Sequence, residues 1–427
     1  MPAHRVVTTP SSTSPVSGPR IVAAAVLVSV TGVLPPILTG AIAVQLQEAM
    51  GLSERTVGLA FAGYFAVAAV TARWGGRLTD RIGWQRAVYV VGLLSLTLLA
   101  AMVASSGPLM LVPVLIAGGC VQGVAGAAGS VALGRGLAGR PVGLAFGVMQ
   151  AAIPLAALVS GLLVPSMALV VGWRSVYLAA MAFPLAGMLA AGRYPPSHRG
   201  GTSAQAVRPT GAPVMRPSSV DVLPTEQHDV GVGDESADRG AAALLRRLAV
   251  AASVTSLANS TLGVFFVAAV VAAGVPEGGA GWALAAASGT ALVVRVVGGW
   301  LLDARPWEGL RPTAILTSVA VVGFLLLASM QPAVMVVGGI VAYGAGWGWT
   351  GFFYHAIVAR HADAPGAAVA VAQRGIAVGA AVGPLVGGQL IELGGFSLMW
   401  AFSAGVGLAG AALFHAGASA AQGRSPK

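Results

Sequence analysis

Arg295 lies inside a long apolar stretch, and no carboxylate lies near it in the sequence. An arginine at the centre of a membrane-spanning helix costs about 2.5–3.5 kcal/mol on insertion scales, so its presence calls for a functional explanation. A guanidinium binds a carboxylate through its planar fork of N–H donors. Arg295 therefore predicts a site for a small anion. The alternative is a structural arginine that extends toward a loop or pairs with Asp303.

Acidic residues are missing from the middle of the apolar stretches. Glu48, Glu54, Glu277 and Glu392 fall at one set of stretch ends, and the other acids fall on the opposite side. A proton-driven drug antiporter usually needs an acid in its cavity, so that route is disfavoured. An anion can carry its own proton or exchange for another anion. His355 titrates near neutrality and is a candidate for proton linkage, although a solvated or core histidine also fits its position near a helix end.

The apolar stretches are long enough to be membrane helices. The chain is 56% hydrophobic and 9% charged, whereas soluble domains carry about 25% charged residues. A crossing needs roughly 20 apolar residues in a helix. The stretches predict an all-α membrane protein with twelve spans, at about 21–46, 54–75, 86–106, 109–134, 142–167, 174–192, 246–273, 280–301, 312–330, 333–358, 367–391 and 397–416.

The same pattern is written twice along the chain. An offset of 223 residues relates pairs of landmarks in different loops and helices, namely Gly76 and Gly299, Asp80 and Asp303, Gly143 and Gly366, Gln150 and Gln373, and Gly172 and Gly395. A repeat of this length in so apolar a chain indicates two pseudo-symmetric six-helix halves, as in transporters.

The distribution of charge predicts the orientation. With the N-terminus inside, nearly all Lys and Arg residues fall in cytoplasmic segments, Arg55 and Arg174 fall outside, and Arg295 is the one cation within a span. Both termini are therefore expected in the cytoplasm. This pattern disfavours nucleic-acid binding despite the net charge of +10. The Arg-rich composition indicates a bacterial plasma membrane.

The domain organisation follows from the polar segments. Residues 1–20 are expected to be a cytoplasmic tail, 21–192 the N-terminal bundle, 193–243 a disordered cytoplasmic linker, 244–417 the C-terminal bundle and 418–427 a second tail. A small regulatory module in the linker is the alternative. No mid-span Ser/His/Asp set, paired acids or metal-binding histidines are present in the sequence pattern, which disfavours an enzyme and predicts no cofactor.

Several motifs resemble those of the major facilitator superfamily. Residues 76–83 read GRLTDRIG, which resembles the family's loop 2–3 signature, and a basic residue follows at Arg86. A degenerate copy, GWLLD, ends at Asp303. Residues 379–388 read GAAVGPLVGG, similar to the family's antiporter signature, and GWR at 172–174 also fits. The stretch RVVGG at 295–299 resembles span 8 of monocarboxylate and oxalate/formate carriers in this superfamily, but the acid one turn earlier in some of them is Ala291 here.

The resemblance implies roles for named residues. Asp80 would interact with span 11 and a nearby arginine, Arg135 or Arg140, to lock one state. The gating set is Gly76, Asp80, Arg81, Gly83, Arg86, Asp303, Gly383 and Pro384. The alternatives are that Asp80 and Arg81 cap a helix and that the glycines of span 11 only allow close packing. Spans 1, 4, 7 and 10 would face the pathway, and with neighbouring spans they offer Thr31, Gln122, Asn259, Trp347, Trp349, Tyr64 and Gln150 beside Arg295.

The sequence therefore predicts a secondary transporter with a small-molecule substrate, monomeric in the lipid bilayer. A small organic anion such as a monocarboxylate is the favoured cargo. Efflux of drugs or other hydrophobic metabolites is the alternative, and a membrane sensor without transport is an alternative of another class.

Overall fold

The structure is a computed structural model, and it describes residues 17–136, 148–192, 235–304, 310–361 and 365–422. The first half consists of helices Gly18–Ala41 and Ala43–Met50 (span 1), Glu54–Ile82 (span 2), Trp84–Ala104 (span 3), Pro108–Gly136 (span 4), Ala152–Leu163 followed by a π-helical turn Val164–Ala168 (span 5), and Trp173–Ala180 with Ala182–Ala191 (span 6).

The second half repeats this order. Its helices are Glu235–Ala272 (span 7), Glu277–Ala304 (span 8), Leu310–Ala328 (span 9), Pro332–Arg360 (span 10) and Pro365–Gln422. The last helix is broken by non-helical backbone at Gly394 and Gly395, so it contains spans 11 and 12. Gly395 (φ 74°) and its repeat partner Gly172 (φ 109°) both have left-handed backbone. That conformation favours glycine.

Ten helices in the described ranges are long and apolar enough to cross a membrane, and Ala152–Ala168 is a shorter apolar helix. The stretch Ala368–Ala420 counts once among the ten but contains the Gly394–Gly395 break. The predicted twelve-span all-α architecture is therefore confirmed.

The two halves meet most closely at one end of the molecule, which we call the Glu54 end because Glu54 and Glu277 begin spans 2 and 8 there. A Cβ on Gly40 of span 1 would lie 2.6 Å from the carbonyl oxygen of Gly263 in span 7. Gln45 donates a hydrogen bond to Glu277, and Arg55 lies 3.6 Å from Glu392. We call the opposite end, where Arg77 lies, the Arg77 end.

Three parts of the structure differ from the expectations. Span 2 stays helical to Ile82, so the GRLTDRIG motif forms its last turns rather than a loop. Span 7 begins at Glu235, inside the segment predicted to be a linker, because an alanine-rich stretch extends the helix; residues 193–234 lie outside the described residues. The last helix continues to Gln422, past the predicted bundle end at residue 417.

The expectation that Arg295 is the one cation within a span is wrong. Arg374 lies in the helix that begins at Pro365, about 14 Å along it at 1.5 Å per residue. Its side chain is exposed. The error arose from assigning Arg374 to a cytoplasmic segment although the apolar stretch had already begun.

Candidate functional site

Arg295 of span 8 lies between the two halves and is half-buried. Its Nε donates to the carbonyl oxygen of Trp347 in span 10, 2.8 Å away, and Nη1 donates to the carbonyl oxygen of Gln150 in span 5. Both acceptors are main-chain groups. In the described part of the chain, no carboxylate forms an ion pair with Arg295. The guanidinium thus keeps its positive charge without a counter-ion from these residues.

The contact with Gln150 has a covalent cause. The residue four positions later is Pro154, which has no N–H, so the Gln150 carbonyl loses its usual helical donor. In a membrane, such a freed carbonyl must find another partner within the protein. Arg295 supplies it from the opposite half. The predicted structural alternative, a pairing with Asp303, concerns a side chain outside the described residues.

Tyr354 and Gln373 extend the polar cluster. The Tyr354 hydroxyl donates to Oε1 of Gln373 in span 11 at 2.7 Å. Tyr354 also interacts electrostatically with the Arg295 guanidinium. Tyr354 follows Trp347 by two helical turns on span 10, so both residues lie on one face of that helix. This spacing was the signal in the sequence that could have identified Tyr354.

Asn259 and Trp347 form the inner wall of the cluster. Asn259 Nδ2 donates to the carbonyl of Gly346, and Trp347 Nε1 donates to the carbonyl of Asn259 at 3.3 Å. Tyr343 packs against the Trp347 ring at a centroid distance of 4.5 Å. Asn259 is 5% exposed, and its Oδ1 has no protein hydrogen-bond partner among the described residues. An acceptor is therefore buried beside the tryptophan that contacts Arg295.

In the N-terminal half, three predicted residues surround one backbone position in span 1. The Tyr64 hydroxyl donates to the carbonyl of Gly32, whose helical donor is missing because Pro36 follows four residues later. Gln122 packs directly against Gly32, and its buried Oε1 has no partner in the described ranges. The Thr31 hydroxyl is buried and bonds to the Leu27 carbonyl of its own helix.

Two predicted residues lie away from the Arg295 cluster. Trp349 is 1% exposed and packs with Phe353 and with Phe414 of span 12, at centroid distances of 5.3 and 5.4 Å. It belongs to the aromatic contact between spans 10 and 12. His355 is exposed, next to Tyr354 in span 10.

The predicted gating residues fall into two groups. Asp80 and Arg81 are exposed in the last turn of span 2, which ends at Gly83 with a φ of 83°, and Arg86 is half-buried in span 3. Gly76 has open space around its Cα. The side chains of Asp303 and Arg135, and all of Arg140, lie outside the described residues.

The second group makes close helix contacts at span 11. Gly383 packs against Ser260 and the Leu257 carbonyl of span 7, and the Pro384 carbonyl packs against Gly58 of span 2. The contact between Gly58 and Pro384 joins the two halves. These residues therefore pack helices together in the conformation described here.

The fold and this polar cluster define a class: a multi-pass membrane protein whose two pseudo-symmetric halves share one site between them. The sequence profile described as Major Facilitator Superfamily matches residues 21–374. The chain belongs to this family, and the predicted resemblance is confirmed. Members of this class are secondary transporters of small solutes, and the chain is one of them.

A solved structure supports the fold. The crystal structure of a point mutant of the nucleoside transporter NupG is similar, with a TM-score of 0.63 and 13% identity, and the match covers 92% of this chain and 99% of that chain. At this identity the likeness shows the fold alone. No curated protein matches the chain.

Proposed function

We propose that the protein carries a small organic anion, such as a monocarboxylate, by alternating access, and that Arg295 binds the anion's carboxylate. The observation that carries this proposal is the charge of Arg295. It lies within a span, between the halves, and its described hydrogen-bond partners are two neutral carbonyls. A carboxylate would neutralise the guanidinium and form the charge-assisted hydrogen bonds that such a group favours.

Binding would take place beside residues from both halves. Gln150 contributes its carbonyl from span 5, while Trp347 and Asn259 contribute an aromatic and amide wall from spans 10 and 7. Gln122, Tyr64 and Thr31 form the corresponding polar group of the N-terminal half around Gly32. A small anion held by Arg295 would therefore contact the surfaces that must separate during transport.

The conformation supports a specific step of the cycle. The halves are joined at the Glu54 end by Gln45 with Glu277 and by Gly58 with Pro384. If the basic Arg77 end is cytoplasmic, as the positive-inside pattern predicts, this state is closed to the outside. Asp80, Arg81 and the neighbouring glycines would then stabilise the opposite state, in which the Arg77 end closes. The predicted location is a bacterial plasma membrane with both termini inside.

The absence of a carboxylate partner for Arg295 in the described ranges bears on coupling. An anion that enters with its own proton, or exchanges for a second anion, needs no acidic side chain at the site. His355 is exposed beside Tyr354 and is the titratable candidate for proton linkage. Uptake into proteoliposomes with and without a pH gradient distinguishes proton symport from exchange.

The decisive variant is Arg295→Gln, tested by binding of carboxylates to purified protein. We expect affinity to fall about 30-fold or more, because losing one partner of a buried charge pair typically costs ~2 kcal/mol or more. Arg246→Gln is the matched control, since Arg246 is exposed and its Nε bonds only within its own helix among described residues. Retention of full carboxylate binding by Arg295→Gln would rule out the proposed role.

Neutral or cationic cargo is the competing function, and NupG, titled a nucleoside transporter, has the same fold. A binding scan with hydrophobic cations and nucleosides, run beside the carboxylates, separates these cases. Counterflow in proteoliposomes separates a carrier from a sensor, because only a carrier exchanges labelled for unlabelled cargo.

A further inference from the structure

The pair formed by Tyr354 and Gln373 is not needed to bind a simple carboxylate. Tyr354 lies two turns beyond Trp347 on span 10, and its hydroxyl hydrogen is directed to Oε1 of Gln373. It is also within electrostatic range of the Arg295 guanidinium. The pair therefore borders the position at which a carboxylate on Arg295 would lie.

Counting donors and acceptors shows what this pair has left to offer. The hydroxyl of tyrosine donates one hydrogen and also accepts, and a glutamine amide has one acceptor oxygen and two N–H donors. The single bond between them uses the tyrosine hydrogen and the glutamine oxygen. The Nε2 group of Gln373 has no partner among the described residues, and Gln373 is exposed toward the space it borders. Two N–H donors and the hydroxyl lone pairs thus remain beside the arginine.

The tandem repeat places Gln150 and Gln373 at equivalent positions, but the two halves use them differently. Gln150 supplies its backbone carbonyl to Arg295, because Pro154 frees that carbonyl. The corresponding position in the second half supplies its side chain to Tyr354. The asymmetry puts the amide donors on one side of Arg295 only, which allows a bound anion to be oriented.

We propose that Tyr354 and Gln373 determine specificity by binding a second oxygen of the anion, a hydroxyl or carbonyl near the carboxylate. The favoured cargo would be 2-hydroxy or 2-oxo acids rather than unsubstituted fatty acids of the same length. The carboxylate binds to Arg295, and its second oxygen accepts from Gln373 Nε2 or bonds to the Tyr354 hydroxyl. This inference rests on the proposed anion-binding function and narrows its substrate class.

The test compares three anions of equal carbon number, propionate, lactate and pyruvate, by calorimetric titration of the purified full chain. We expect the wild type to bind lactate and pyruvate about fivefold to tenfold more tightly than propionate, the range of one net hydrogen bond. Tyr354→Phe and Gln373→Leu should reduce this preference to about twofold or less, while propionate affinity stays within about twofold of wild type. Gln389→Leu, near the far end of span 11, is the control and should keep the preference.

The outcomes distinguish the two proposals. Equal binding of all three anions by the wild type, or an unchanged preference in both variants, overturns the specificity role and leaves Arg295 as the anion site. If the wild type binds none of the probe anions, and drug-like cations instead, both proposals fail. Should Gln373→Leu not fold, the near-isosteric Gln373→Met removes the same donors and gives the same comparison.

Discussion

Prolines inside the spans explain two of the central hydrogen bonds. Pro36 removes the helical donor of the Gly32 carbonyl, and Tyr64 of span 2 supplies one; Pro154 removes the donor of Gln150, and Arg295 of span 8 supplies one. Because lipid offers no hydrogen bonds, each freed carbonyl recruits a side chain from another helix. Residues predicted as substrate contacts therefore also repair the backbone.

We expect Tyr64→Phe to destabilise the protein by about 1–2 kcal/mol, because it leaves the buried Gly32 carbonyl without a donor. Pro36→Ala restores the N–H that can satisfy this carbonyl. In a Pro36→Ala background, Tyr64→Phe should therefore cost less than half as much. Thermal unfolding in detergent, arranged as a double-mutant cycle, measures the difference.

Thr31→Val is the comparison for this cycle. The Thr31 hydroxyl bonds to a carbonyl of its own helix, so its loss breaks no contact between spans. Its unfolding temperature should stay close to wild type. Additive costs for Tyr64→Phe and Pro36→Ala would contradict the proposed repair of the Gly32 carbonyl.

Among the helices, glycines set how closely neighbours approach. Gly375, Gly379 and Gly383 recur every four residues along span 11 and face the backbone of span 7. Gly75 of span 2 does the same toward span 4, where its Cβ would lie 2.6 Å from the Gly123 carbonyl oxygen. Close approach of small residues is how membrane helices gain packing energy.

Adjacent glycines at positions 75 and 76 give a matched test. Gly75→Ala should lower the unfolding temperature, because the new methyl group meets backbone that cannot move aside. Gly76→Ala should leave stability unchanged or raise it, because nothing lies within 4 Å of that position and alanine favours a helix by up to about 1 kcal/mol. Thermal unfolding of both purified variants measures the contrast.

Gly76→Ala also separates packing from gating. Gly76 belongs to the motif that resembles the family's gate, yet the described conformation places nothing against it. Slowed counterflow at unchanged stability would indicate that Gly76 contacts another helix in the alternate state. Equal stability losses in the two variants would contradict the packing argument.

For the whole molecule, the closed Glu54 end follows the twofold repeat. Gly40 contacts Gly263, its own partner at an offset of 223 residues. Gly58 with Pro384 and Gly281 with Gly161 are related by the same offset, because 58 corresponds to 281 and 161 to 384. The halves therefore close around an approximate twofold axis, as expected for bundles that rock about a shared site.

Gln45 and Gln47 test whether this closure depends on a polar link. Gln45 bonds across the halves to Glu277, whereas Gln47 bonds to Glu54 within its own half at 2.6 Å. Gln45→Leu should shift the population toward opening at the Glu54 end by about tenfold, since hydrogen bonds to charged groups contribute ~1.5 kcal/mol or more. Gln47→Leu should leave the population unchanged.

Spin labels at Glu48 and Leu393, one on each half, report the opening as a longer distance component. The labels require a Cys120→Ser background, because Cys120 is the one native cysteine. Identical distance distributions for Gln45→Leu and the wild type would show that the glycine contacts alone hold this end closed.

The sequence by itself determined the spans, the duplication and the family, because apolar length, a fixed offset and local motifs are properties of neighbouring residues. It also identified Arg295, since a charge in an apolar stretch is visible without coordinates. It could not assign partners. That Trp349 packs in an aromatic cluster, that Gln150 acts through its backbone and that Tyr354 and Gln373 complete the cluster depend on how separate helices rotate and approach. Only the tertiary structure decides these contacts, because they join residues far apart in the chain.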